Sequence, residues 1–109
     1  MQRPPIIVVG YQAQKVRDTL GSYYTYVEQH DQLGTGHAVA MTRPVLEGHI
    51  DHVLVLYGDH PHLSCEVIDA LLDLHLRSDN PVTMMTTVVE DYAQWRDRLA
   101  LYGRIIRDA

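Results

Sequence analysis

Two apolar runs that do not alternate constrain this chain most. Ile6-Ile7-Val8-Val9 and His52-Val53-Leu54-Val55-Leu56-Tyr57 are continuous and rich in β-branched residues, as expected of parallel strands covered on both faces. Each run is followed by glycine, at Gly10 and Gly58. After Gly10, Ala13, Val16 and Leu20 recur at helical spacing, and Gly21 stands where a C-terminal cap is wanted. A β-prone stretch at Tyr24 to Val27 follows, then a second helix after Gly34-Thr35-Gly36 running through Met41, with Pro44 and Gly48 near its end. The run at 52–57 carries the strongest strand signal and is expected to be the central strand. Ser64 suits the N-cap of a helix over Cys65 to Leu76, with Val67, Ile68, Leu71, Leu72 and His75 on one stripe. Val82 to Val89 reads as another strand, Tyr92 to Ala100 as a short helix and Tyr102 to Arg107 as a last strand. This alternation predicts an α/β architecture, a doubly wound and mostly parallel sheet with flanking helices, whose ligands sit beyond the carboxyl ends of the strands.

Size and charge narrow the function classes. At 109 residues the chain fits one domain, and 46% apolar with 21% charged residues is the composition of a globular unit. A net charge of -5 has the wrong sign for a protein living on nucleic-acid phosphates, so no nucleic-acid partner is expected. No apolar run approaches the roughly 20 residues that span a bilayer, so no membrane partner is expected either. One cysteine, Cys65, permits no intrachain disulfide; it fits a reducing, cytoplasmic setting and is expected to be a small buried side chain. The basic residues are eight arginines and a single lysine, Lys15.

Two strand-end loops hold the chemistry. Gln29 and Gln32-Leu33-Gly34-Thr35-Gly36-His37 lie at a strand-to-helix junction, where glycine permits close backbone approach. A carboxamide at Gln29 carries a donor and an acceptor that match a pyrimidine edge; the same pattern also suits a polar turn before a helix. Tyr57-Gly58-Asp59 ends the expected central strand, where one carboxylate with phosphate oxygens can complete a Mg²⁺ shell, or Asp59 can simply start a turn before Pro61. The run Asp59-His60-Pro61-His62 raises a rival, two imidazoles presented to Zn²⁺ in a metal-dependent hydrolase, with His30, His37, His49, His52 and His75 as further candidates but no supporting spacing.

Taken together, Gln29, Gln32-Leu33-Gly34-Thr35-Gly36-His37-Ala38-Val39, Val53-Leu54-Val55-Leu56-Tyr57-Gly58-Asp59 and Tyr102-Gly103-Arg104-Ile105-Ile106-Arg107-Asp108 resemble the uridylyltransferase part of bacterial N-acetylglucosamine-1-phosphate uridylyltransferases, in the same order. The resemblance implies a Rossmann-like nucleotide-diphospho-sugar transferase fold and a Mg²⁺-dependent transfer from UTP to N-acetylglucosamine 1-phosphate, giving UDP-N-acetylglucosamine and pyrophosphate for cell-wall precursor synthesis. By matching position it implies that Gln29, Gly34 and Thr35 hold the uracil nucleotide, Tyr57 and Gly58 border the nucleotide-sugar, Asp59 is the catalytic Mg²⁺ ligand and Gly103 contacts the sugar.

The family's first strand, Gly-rich loop and following lysine precede the region that matches Ile6, and its later part would follow Ala109. The resemblance thus implies a partial, truncated nucleotidyltransferase (MobA-like NTP transferase) domain over 1–109. Such a chain is expected not to turn over, and either to bind a uridine nucleotide-sugar weakly or to serve only as a folding unit; its open sheet edges would admit a second copy or a complementing chain. Two departures bear on sugar and nucleotide preference. His62 stands where the family has an apolar residue, and Tyr92 to Leu101 is longer than the usual connection, with Leu101 in place of a frequent glycine.

Overall fold

The computed structural model describes residues 3–107. The chain divides into two compact units, the first ending at Asp59 and the second beginning at His60.

In the first unit β1 (Ile6–Val9) pairs in parallel with β2 (Thr25–Glu28), Ile6 opposite Thr25 and Val9 opposite Glu28. Parallel neighbours require a crossover, and α1 (Ala13–Leu20) supplies it. The helix starts just beyond Gln12, which takes the left-handed conformation at φ 55, and stops at Gly21, φ 79, whose N–H donates to the Arg17 carbonyl at 2.9 Å. Val9 and Ala13 are the buried apolar side chains of the described residues, so what core there is lies where the end of β1 meets the start of α1. Arg17 reaches from α1 to the last residue of β2, Nη2 donating to Glu28 Oε2 at 2.9 Å, and its guanidinium lies 5.8 Å from the centre of the Tyr26 ring. The pair is about one-third exposed, so it fixes geometry more than it adds stability.

The helix expected after Gly34 is two shorter ones, α2 (Thr35–Ala40) and α3 (Arg43–Leu46). Pro44 falls in the first turn of α3, where a missing N–H removes no helical hydrogen bond; it begins a helix and does not end one. Buried Thr42 joins the two, its Oγ1 donating to the Val39 carbonyl at 2.7 Å.

The expected central strand is absent. Residues 52–57 form no strand, and Val53 to Tyr57 stand between 40% and 55% exposed. Val82 to Val89 and Tyr102 to Arg107 likewise form none. The physical reason is that a strand exists only as one side of a hydrogen-bonded ladder. Apolar β-branched composition suits a segment to such a ladder but does not supply the partner. The sheet of the described residues is therefore β1 and β2 alone, and the architecture is a small α/β arrangement.

In the second unit α4 (Cys65–Leu76) has the bounds its sequence predicts. Ser64 caps it, Oγ accepting from the Val67 N–H at 3.4 Å. Ile68, Leu71, Leu72 and His75 are its half-covered face, while Val67 is exposed. His75 is a hydrogen-bonded boundary residue, Nδ1 lying 2.9 Å from Thr83 Oγ1. Cys65, expected to be buried, is exposed in the first turn, on a helix none of whose side chains is deeply buried. A 3-10 helix, Gln94–Leu101, follows, and Arg104 lies over the Tyr92 ring at 4.9 Å.

The cap of α4 is testable. Ser64→Ala is expected to lower stability by about 1 kcal/mol, read by urea unfolding followed at 222 nm. The Ser64 hydroxyl, and then its own backbone N–H, also hold the Glu66 carboxyl below its ordinary range. A carboxyl lowered by folding contributes above its unfolded pKa, and that contribution fades as pH falls through the folded one; in Ser64→Ala the acid-side loss should shrink.

Candidate functional site

Because β1 and β2 are parallel, their carboxyl ends face the same way and the two exit loops run side by side. The Gln29 N–H donates to the Val9 carbonyl at 2.8 Å, carrying the pairing one residue beyond the strands. At Gly10 an added Cβ would stand 3.3 Å from the Gln29 carbonyl oxygen and 3.4 Å from Gln32 Nε2, so glycine is what lets the second loop cross the end of β1. An open hollow of about 470 Å³ results, lined by Gly10, Tyr11, Gln29, Gln32, Gly34, Thr35 and Ala38.

The hollow brings together three residues that the sequence nominated, Gln29, Gly34 and Thr35. Gly34 has φ 101 and ψ 178, a conformation open essentially to glycine alone. Its carbonyl accepts from Gln29 Nε2 at 3.0 Å, and the same Nε2 lies 2.9 Å from His37 Nδ1. A carbonyl can only accept, so the amide nitrogen is fixed on that side and Oε1 is left as the acceptor of Gln29. The expectation that Gln29 offers donor and acceptor together is thereby narrowed.

Gln32 and Ala38 belong to the loop and motif that the sequence already marks, without a role of their own; Gly10 and Tyr11 are not singled out for this hollow by sequence reasoning, although Gly10 occupies the same strand-end position as the glycine after the second apolar run. A second hollow of about 300 Å³ is mostly apolar, lined by Val39, Thr42, Leu46, Ile50 and Val53 with Arg43 and Glu47. Arg43 grips Glu47 through two hydrogen bonds, 2.8 and 2.7 Å, and holds that carboxyl below its usual range. None of the nominated residues lines it.

Tyr57 ends the exposed 52–57 segment, Gly58 and Asp59 follow it as a turn, and none of the three is among the residues lining the larger hollow. Gly103 lies in the second unit, just past the 3-10 helix. Asp59 has the hard-oxygen chemistry that Mg²⁺ prefers. Among the described residues no three His, Cys, Asp or Glu side chains gather as a metal cluster, so a magnesium ion held by Asp59 would complete its shell with phosphate and water oxygens. The His60-Pro61-His62 alternative gains no third ligand from the described residues. Nor is any helix of the described residues long and apolar enough to cross a membrane.

Fold and hollow together define a small α/β protein with a ligand-sized crevice at the carboxyl ends of parallel strands. No protein-family model matches the chain. Individual proteins do: it is 42% identical over 105 residues to the bifunctional protein GlmU of Cyanothece sp., covering 94% of this chain and 22% of that protein. GlmU of Heliobacterium modesticaldum is 40% identical over 104 residues, 95% of this chain and 21% of its own length. GlmU of Streptococcus pyogenes is 38% identical over 103 residues, with 94% and 23% covered. The chain spans about a fifth of the length of these curated relatives. The resemblance carried by the motifs thus extends along nearly the whole sequence, and the chain is a relative of one segment of GlmU.

Proposed function

We propose that this chain is the nucleotide-binding part of a GlmU-type sugar-1-phosphate uridylyltransferase, a partial nucleotidyltransferase domain of Rossmann-like fold over 1–109. The single observation that carries this reading is the gathering of Gln29, Gly34 and Thr35 around one hollow at the strand ends, within a chain similar to GlmU. In the reaction, a phosphate oxygen of N-acetylglucosamine 1-phosphate forms a bond to the α-phosphorus of UTP, the bond from that phosphorus to the bridging oxygen breaks, and pyrophosphate leaves with its electron pair. No covalent nucleophile of the protein is needed; positioning and electrostatics do the work.

In this reading Gln29 Oε1 accepts from the base, Gly34 and Thr35 flank the nucleotide, Tyr57 and Gly58 border the nucleotide-sugar, and Gly103 meets the sugar. Asp59 would hold Mg²⁺, which when bound neutralises phosphate charge. Homodimers, or pairing with a complementing chain, belong to the same proposal, as does a cytoplasmic setting. Among the described residues the sheet is β1 and β2, and its two edges are where such pairing would occur.

These 109 residues should bind without turning over. Their one lysine, Lys15, is exposed on α1 and is no counterpart of the family's phosphate-gripping lysine. The test follows uridine-nucleotide binding and pyrophosphate release side by side, with UTP, N-acetylglucosamine 1-phosphate and Mg²⁺. Saturable binding with no release is expected. Sustained release would contradict the binding-only behaviour, and a folded chain that binds no uridine nucleotide would contradict the assignment itself.

A further inference from the structure

We infer that His37 sets the base preference of the hollow by occupying the second amide N–H of Gln29, so that Gln29 offers the ligand an acceptor alone and favours a base with an imide N–H. The inference rests on the nucleotide reading proposed above and deepens it: His37 is a positioning residue that acts through Gln29.

The argument is a count of hydrogen-bonding capacity. A glutamine amide has two N–H donors and one carbonyl acceptor. One N–H of Gln29 goes to the Gly34 carbonyl at 3.0 Å, which fixes the nitrogen end of the amide. The other faces His37 Nδ1 at 2.9 Å. Nδ1 therefore accepts, and the imidazole proton resides on Nε2. Both donors of Gln29 are spent inside the protein, and Oε1 is its remaining hydrogen-bonding atom. Gln29 and His37 are both half-buried, so water competes for the contact between them less than at an open surface. Gln29 lines the hollow, and a ligand there meets an acceptor. Uracil presents its N3–H as a donor to such an atom. Cytosine places a lone pair at N3 and needs a donor from the protein instead. Without His37 the second N–H is released, the amide regains a donor, and the distinction between the two bases weakens.

Calorimetric titration of UTP and of CTP into the full chain tests this, with circular dichroism to establish that each variant is folded. The unaltered chain is expected to favour UTP by about tenfold or more. His37→Ala should bring the two nucleotides to within about threefold. His37→Asn, whose Oδ1 can accept in place of Nδ1, should restore the preference, a rescue that a purely structural role for the imidazole does not explain. Equal UTP-to-CTP ratios in the unaltered chain and in His37→Ala would overturn the role of His37 while leaving the nucleotide site intact. Should His37→Ala not fold, loss of the preference in folded His37→Asn would overturn it equally. Failure of the folded, unaltered chain to bind either nucleotide would remove both this inference and the reading beneath it.

Discussion

Gly34→Ala is expected to lower stability by about 1 to 3 kcal/mol and to weaken uridine-nucleotide binding by about tenfold or more. The cause is torsional and not a collision. At φ 101 and ψ 178 an L side chain is strained, yet a Cβ built on Gly34 meets nothing within 4 Å. Relief comes from rotating the backbone, which carries the Gly34 carbonyl away from Gln29 Nε2 and unfixes the amide. Gly36, two residues on, makes the control: it lies within α2, has no positive φ, and a Cβ there also meets open space. Gly36→Ala should be neutral or stabilising by up to about 1 kcal/mol, because alanine is the better helix former. Urea unfolding and calorimetry on the two variants separate the conformational need at Gly34 from mere presence in a glycine-rich stretch. Equal stability and equal binding in both would show that the Gly34 backbone does not organise the site.

Removing the side chain of Gln29 should have the largest effect on binding. Gln29→Ala deletes the acceptor offered to the base and leaves the Gly34 carbonyl and His37 Nδ1 without their common donor. Losses of this kind are worth about 1 to 3 kcal/mol, or about 5- to 150-fold in dissociation constant. The fold should survive, since Gln29 contributes its backbone N–H to the Val9 carbonyl whatever its side chain. Unchanged affinity in a folded Gln29→Ala chain would place the ligand elsewhere.

Local signals in the sequence are realised where they are self-contained. Gly21 ends α1 with a backbone bond four residues back, and Ser64 starts α4 with its own hydroxyl; each device needs only neighbours in sequence. The parallel pair Ile6 to Val9 with Thr25 to Glu28 is also legible, because a short crossover keeps the partners close in the chain. Residues 52–57 show the opposite case. Their apolar sequence states what environment would suit them, but the ladder that makes a strand lies in other segments, and no residue within the run reveals whether one is there.

The site divides along the same line. Gln29, Gly34 and Thr35 sit within one short loop and converge. Gln32 lies in that same loop, whereas Gly10 joins it only through the register of β1 against β2, which the loop sequence does not contain. The shared donor between Gly34 and His37 depends on one side-chain rotamer of Gln29, and composition carries no trace of it.

The most direct measurement is calorimetric titration of UDP-N-acetylglucosamine into the purified chain, with and without Mg²⁺, repeated on Asp59→Ala. The account predicts saturable binding strengthened by Mg²⁺, the strengthening but not the binding being lost in Asp59→Ala. A chain that circular dichroism shows to be folded, and that takes up no UDP-N-acetylglucosamine under either condition, would contradict it.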